Sequence, residues 1–351
     1  MKFSILLSSL AVAAALVAGA PRVSAQPEAK ASTTLQDIRK RGVVVCGASV
    51  PAPGFAVEDG AGNWSGFDVD FCRALAVAVL DDPQKFRVEP LEHKQRLAAL
   101  HSGAVDLLLS GAPWTQAREA GHQQLYGAIT FYGGQGLLAR REEEAGEEPW
   151  RAAGGAPPRV CVQEGGSSEL NLVEFYRQRH LAYNPVSFPS LEEAARAYDA
   201  GACDLLSADV VDLHRWRARL QKPEEHVVLM QLLSKSPVGP IVRQGDDQWF
   251  NVVRWTHFAM VEAEEFDVGA KSVDAALSSE NPDLRRLVGS DGDFGEGLGL
   301  RPDWAYRVIR EVGNYAEVFE RNLGMSSPFA MERRQNALWT KGGLMYAPPV
   351  R

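Results

Sequence analysis

The sequence predicts two α/β lobes of similar build, and three observations carry that expectation. The first is a strand–helix alternation that begins near Val43, breaks in the 140s and restarts at Arg159. The second is an internal repeat. RLAALHSGAVDLLLSG (96–111) and AARAYDAGACDLLSAD (194–209) share a helix–glycine–strand order, with Gly103 on Gly201, Asp106 on Asp204 and Leu107-Leu108 on Leu205-Leu206. The third is the break itself, EEEAGEEPWRAAGGAPP (142–158), where charge and then Gly and Pro replace the apolar pattern. Similar units at a fixed offset point to two like-folded lobes.

In chain order, residues 1–25 read as a targeting segment rather than fold. Lys2 supplies the positive start, 5–20 are apolar and alanine-rich, and Val23-Ser24-Ala25 is a small-residue cleavage site. The apolar run is short for a membrane span, so an exported, soluble mature protein is expected. A helix over 34–41 leads to a strand at 43–46. The Pro- and Gly-rich stretch 48–64 carries Phe55 and precedes an apolar helix at 67–80, with Asp68 and Asp70 at its positive end. After a strand at 86–91 and a helix at 94–101, Gly103 can take the left-handed cap. Residues 105–109 then form an apolar run too short for a helix, which is how a strand buried on both faces reads.

Strands at 125–131 and up to 139 close the first lobe. The second is expected to hold strands at 160–163, near 186 and at 204–207, with helices at 169–179, 191–200 and 209–219. Ser236 to Pro240 suit a return crossing. The remainder is mainly helical (249–266, 282–288, 302–323) without a new βαβ unit, so it should pack back on the first lobe; a separate helical domain is the alternative. These boundaries give lobe 1 as 26–139 and 240–351, and lobe 2 as 140–239.

Of 351 residues, 45% are hydrophobic and 23% charged, ordinary values for a globular chain. A formal charge of −8 offers no basic footprint for nucleic acid. Cleavage after Ala25 removes Lys2 and Arg22 and no acid, making the mature chain more acidic still. Four cysteines fit an oxidising compartment and allow three pairings. Cys46 and Cys72 fall on the first strand and the helix after it, Cys161 and Cys203 on strands of the second lobe. One bridge inside each lobe is therefore expected, Cys46–Cys72 and Cys161–Cys203, with free buried thiols as the alternative. No C-x2-C spacing suggests zinc. His101, His122, His180 and His257 share no spacing with acids or cysteines, so neither a metal nor a cofactor is expected.

Residues just past the carboxyl ends of parallel strands line the ligand crevice of an α/β layer. One such end leads through Gly111 and Pro113 to Arg118, a planar fork suited to a carboxylate; a plain surface arginine is the alternative. In the second copy Asp209 stands where Gly111 stands. A ligand held between this cation and this anion carries both charges, as an amino acid does. Gly165-Gly166-Ser167-Ser168 open a helix and leave backbone N–H groups at its positive end, facing the same crevice. Phe55, after Pro53-Gly54, and Trp114 are candidate apolar walls, with local packing the alternative for each.

With these residues placed, the chain resembles the polar-amino-acid solute-binding proteins of ABC transporters, in particular the general L-amino-acid-binding subgroup. The likeness runs through PGF…GNWSGFDVDFCRA, VDLLLS…WTQAR, CVQEGGSSELN, GPIVRQGDDQWFNVVRWTHFA and NALWTKGGLMYAPPVR. It implies a two-lobed periplasmic-binding-protein fold of type II, each lobe a mixed sheet flanked by helices, joined by two hinge strands that close on the ligand. It also implies a monomeric periplasmic receptor, not an enzyme, which delivers a small amino acid to inner-membrane ABC permease subunits. Arg118 stands where the family's arginine holds the α-carboxylate, Gly166 and Ser167 where N–H and hydroxyl groups assist, Asp209 where a carboxylate holds the α-ammonium, and Phe55 where an aromatic lines the side-chain pocket.

One departure stands out. Gly111-Ala112-Pro113 replaces a run of Ser, Thr or Asn, and Pro113 removes a hydroxyl that accepts from the ammonium, leaving the Gly111 carbonyl. One lost charge-assisted hydrogen bond costs roughly 1.5–3 kcal/mol, about 10- to 150-fold in affinity. Two other functions fit the same scaffold: a sensor's binding module, and a dehydratase-like enzyme with Glu164 or Glu169 as its acid or base.

Overall fold

Two five-stranded sheets organise the computed structural model, which describes residues 33–50, 52–92, 94–109, 112–122, 124–141, 150 and 156–351. The leader expected at 1–25 lies outside these residues, as does most of the charged break.

The first sheet begins with β1 (Val44–Ala48), buried along its whole length. A small antiparallel hairpin, β2 (Val57–Glu58) and β3 (Trp64–Ser65), fills the Pro- and Gly-rich stretch before the helix Phe67–Leu80. β1 then pairs in parallel with β4 (Phe86–Pro90) and with β5 (Leu107–Leu108), the strand reached through the helix Arg96–Ser102. Past the helix Gln116–His122 come β6 (Gln124–Tyr126), β7 (Phe131–Gly133) and β8 (Gln135–Arg140). The second lobe adds β9 (Arg159–Gln163), β10 (Asn184–Phe188), β11 (Leu205–Asp209) and β12 (His226–Val228); β13 (Ser236–Val238) and β14 (Ile241–Arg243) carry the chain back. The strand orders are β4-β1-β5-β14-β6 and β10-β9-β11-β8-β12. They match position by position, with two parallel pairings and an antiparallel strand in the same place.

The repeat has a physical basis in its aspartates. Asp106 accepts the Val45 N–H at 2.7 Å and an Arg41 guanidinium. Asp204 accepts the Arg159 N–H at 2.8 Å and pairs with the Arg159 side chain at 2.7 Å. In each lobe the carboxylate before the third strand thus pins the start of the first. Asp106 also offers its carbonyl to the fully buried Trp249 indole at 3.0 Å.

The first lobe boundary differs from the one the sequence suggests. Residues 135–139 belong to the second sheet, where β8 pairs antiparallel with β11 and β12 (Leu138 opposite Leu206, Ala139 opposite Val227). The chain changes lobes along β7, which pairs with β13 from Phe131 opposite Val238 to Gly133 opposite Ser236. The composition shift after 140 therefore does not coincide with the change of lobe. Two glycines permit the crossing: a Cβ on Gly134 would meet Ser234 O at 2.3 Å, and one on Gly239 would meet Ala128 O at 1.8 Å.

The helical C-terminal part packs on the first lobe. Trp249 and Val252 of the helix Asp247–Glu265, Ile309 of Trp304–Val312 and Phe319 of Tyr315–Asn322 share one hydrophobic cluster with Val69 and Leu75. The segment after it makes a further link between the lobes. Phe329 O lies 3.1 Å from His214 Nδ1, and Arg334 donates to Leu229 O and Val228 O, both at 2.7 Å. Asn336 meanwhile bonds both backbone groups of Tyr132 on β7.

Disulfides join Cys46 to Cys72 and Cys161 to Cys203, all four side chains fully buried. The second bridge spans 42 residues and ties β9 to the turn before β11. On the chain-entropy account its removal costs about 4 kcal/mol. A Cys161→Ser/Cys203→Ser protein should therefore unfold at a clearly lower urea concentration than the oxidised wild type. Coincident unfolding curves would contradict this.

Candidate ligand-binding cleft

Asp209 ends β11 and caps the helix Val210–Arg217, where its Oδ1 accepts the Val211 N–H at 3.0 Å. The local sequence makes this geometry natural, since an aspartate at a strand-to-helix corner satisfies a free N–H of the first turn. Asp209 opens on a cavity of about 270 Å³ walled by both lobes and the crossing strands. Phe55 and Asp68 come from lobe 1, Phe131 and Ser236 from β7 and β13, and Asp212 and Arg215 from lobe 2. Phe55 meets Phe131 and Phe67 edge-on at 5.3 and 5.8 Å, so it is both packed locally and part of the cavity wall.

The electrostatics of this cavity are unusual. Burial pushes the Asp209 carboxyl up to about 7; the Asp212 charge adds to the rise, and the Val211 N–H opposes it. Burial also raises Asp212, countered by Arg215 at 2.7 Å. Residues 209, 212 and 215 are spaced by three along the helix start and share one face. That spacing is a sequence signal from which Asp212 and Arg215 could have been expected.

Arg118 sits elsewhere. It lies on the helix Gln116–His122, and its Nη1 donates to Pro113 O at 2.9 Å, an acceptor shared with the Tyr126 hydroxyl at 3.1 Å. With Lys94, Arg96, Ala112 and Gln124 it lines a second cavity of about 360 Å³. The two cavities are electrostatic neighbours: Asp68 lines the first, and its charge acts on Arg96 in the second. The structure therefore does not bring Arg118 and Asp209 into one cavity.

The other candidates divide similarly. Trp114 lines neither cavity. It stacks on Tyr126 with centroids 5.0 Å apart, its indole donates to Glu119 at 2.7 Å, and its N–H donates to Pro237 O at 2.7 Å. It plugs the core and ties its loop to β13. Gly166 is the extended residue before the helix Ser167–Gln178; neither it nor Ser167 lines the two cavities. Glu169 turns back to accept Gly165 N–H at 3.1 Å and the Ser187 hydroxyl at 2.9 Å. Gly111 lies outside the described residues.

Residues 44–279 match the model of the bacterial extracellular solute-binding proteins, family 3. The chain belongs to this family. As a family 3 solute-binding protein it is extracytoplasmic, and its paired sheets are the family's two lobes. It is 45% identical to the general L-amino acid-binding periplasmic protein AapJ of Rhizobium johnstonii, over 99% of both chains. It is 40% identical to the glutamate/glutamine/aspartate/asparagine-binding protein BztA of Rhodobacter capsulatus, over 100% of both. Among solved structures, a periplasmic binding protein from Brucella ovis with glutathione bound superposes with a TM-score of 0.75. That protein is 43% identical, and the match covers 91% of this chain and 99% of that one.

A carboxyl whose folded value is raised stabilises the fold below its unfolded value and loses that contribution as pH rises toward the folded one. For Asp209 the loss falls between about pH 4 and pH 7. Asp209→Asn keeps a capping side chain and removes the titration. Its thermal midpoint should fall less than wild type's across that window and exceed it at pH 8. Glu262, also pushed up to about 7, is common to both proteins and cancels in the comparison. Parallel pH profiles would show that Asp209 is not held away from water.

Proposed function

We propose that this solute-binding protein captures an amino acid or related zwitterion in its inter-lobe cleft, in the periplasm, and delivers it as a monomer to the permease subunits of an ABC transporter. Asp209 is the observation that carries this reading. It is a half-buried carboxyl that lines, with Phe55, a cavity walled by both lobes. An ammonium group is the natural complement of such an anion. The names of AapJ and BztA support the ligand class, and the leader-like residues 1–25 support export.

In this reading the ammonium meets Asp209 on lobe 2 and the α-carboxylate meets Arg118 on lobe 1. The N–H of Gly166 and the hydroxyl of Ser167 join the carboxylate as the lobes approach. A ligand with its two charges on two lobes binds the closed form better than the open one, and that difference drives closure. Arg118 then exchanges the Pro113 carbonyl for a carboxylate, a stronger, charge-assisted partner. Pro113 has no hydroxyl to accept from the ammonium, and its carbonyl already serves Arg118 and Tyr126. Asp209 therefore bears most of the ammonium's recognition.

Titration calorimetry of refolded, ligand-free protein against an amino-acid panel tests the reading. Binding should strengthen from pH 6 to pH 8, because the neutral Asp209 that predominates below about 7 must lose its proton to pair with an ammonium. Arg118→Ala should weaken binding at least 100-fold. Ala112→Thr/Pro113→Thr should strengthen it by about 10- to 150-fold, by restoring one charge-assisted hydrogen bond. The absence of both heat and a thermal shift with every amino acid tested would refute the assignment.

A further inference from the structure

We infer that the C-terminal segment 324–336 is a latch, packed onto lobe 1 and hooked to lobe 2 by polar bonds, which opposes closure of the lobes and so sets how tightly a solute is held. The segment lies beyond residues 44–279, the span of the family model. The inference rests on the reading above for closure as the event that the latch opposes, and not on the identity of the solute.

The two lobes hold this segment differently. On lobe 1 it is part of the core. Met331, with Leu323 before the segment and Leu338 and Met345 after it, belongs to the same hydrophobic cluster as Val69 and Trp249. Arg333 forks onto Glu264 of the helix Asp247–Glu265, with both distances 2.9 Å. On lobe 2 the hydrophobic clusters include no described residue after Leu233, and the segment is held through backbone carbonyls instead. Arg334 donates to Leu229 O and Val228 O at 2.7 Å, Phe329 O lies 3.1 Å from His214 Nδ1, and Arg217 reaches Phe329 O and Ala330 O at 3.4 Å. A cavity of about 580 Å³ runs along this seam, with His214, Arg217 and Val228 on one side and Pro328, Ala330 and Arg334 on the other. A core and a charged fork resist separation. A few polar bonds beside a cavity that admits water exchange their partners for water at small net loss.

Backbone strain and the route to the cleft agree with a releasable joint. Ala330 and Arg334 take positive φ values of 45° and 46°, a region that residues with a Cβ rarely enter. Such strain persists only where surrounding contacts hold it, and it collects at elements that switch. The seam also reaches the ligand site through one helix. Asp209 caps the start of Val210–Arg217, and His214 and Arg217 meet the latch from its last turn. The latch is fastened while Arg118 and Asp209 line separate cavities. Bringing both onto one solute turns lobe 2, and this helix with it, against a segment fixed to lobe 1. The latch bonds then stretch or break. Apparent affinity scales with the fraction of protein in the closing-competent arrangement, so a latch on the other arrangement weakens binding.

The test measures the distance between the lobes on the refolded full-length mature protein. Nitroxide labels on Lys85→Cys of lobe 1 and Arg196→Cys of lobe 2, both exposed positions, report it by double electron–electron resonance. The four native cysteines are tied in disulfides and take no label. Without added solute, Arg334→Met should displace or broaden the distance distribution relative to the labelled parent, toward the separation that a bound amino acid gives the parent. By calorimetry the same variant should bind that amino acid about 3- to 10-fold more tightly. Arg217→Met, which cuts the longer bonds from the lobe 2 side, should move both readouts the same way by less, and it decides the matter alone if Arg334→Met does not fold. Arg310→Met, an exposed arginine bonded to Tyr306 on lobe 1, should move neither. Distances unchanged in the latch variants, or affinity that falls in them while they remain folded, overturn the latch and leave the amino-acid reading intact. Displaced distances with no amino acid bound by any of the proteins sustain the latch and overturn that reading.

Discussion

A half-buried carboxylate at the end of β11, lining the cavity between the lobes, is the constraint on which the cleft depends. Asp209 is held in place by the turn it caps, and its burial raises its pKa toward neutrality. Such a group destabilises the empty protein in its charged form, and the penalty is relieved when a cation arrives. In the proposed role, function and stability oppose each other at this one residue, as is common where binding sites are preorganised. The aromatic wall at Phe55 and the Asp212–Arg215 pair line the same cavity around it.

The lobes that carry the two charged ends are built alike, and the same device starts each sheet. Asp106 and Asp204 pin the first strand of their lobes through backbone N–H bonds, so the ends of β5 and β11 emerge at equivalent places. The β7–β13 pair joins the lobes where side chains on Gly134 and Gly239 would collide with the neighbouring backbone. The Phe329–Asn336 segment adds a connection from the C-terminal part to the helix that Asp209 caps. Among the described residues three strips of chain thus join the lobes, one of which contacts the helix that Asp209 caps.

Much of this was legible in the sequence because it is local. The repeat at 96–111 and 194–209, the placement of the four cysteines and the corner at Asp209 all follow from patterns within a few turns of chain. The membership of β8 was not legible, because its pairing partners β11 and β12 lie far along the chain and nothing in Gln135–Arg140 encodes which sheet it joins. The roles of Asp68 and Arg96 were hidden for a related reason. Each reads as an ordinary helix-start residue, and only the folded chain brings the Asp68 charge within electrostatic reach of Arg96. Trp114 was legible as either a cleft wall or a plug, and only its stacking on Tyr126 of the next strand decides for the plug.

A crystal structure of the refolded protein with an amino acid of the panel bound measures most directly whether a zwitterion bridges the lobes. The expected result is a closed cleft, with the ligand ammonium about 2.8 Å from Asp209 and the α-carboxylate on Arg118, now released from Pro113 O. A ligand whose ammonium sits away from Asp209, or an Arg118 still bonded to Pro113 in the bound state, would contradict it.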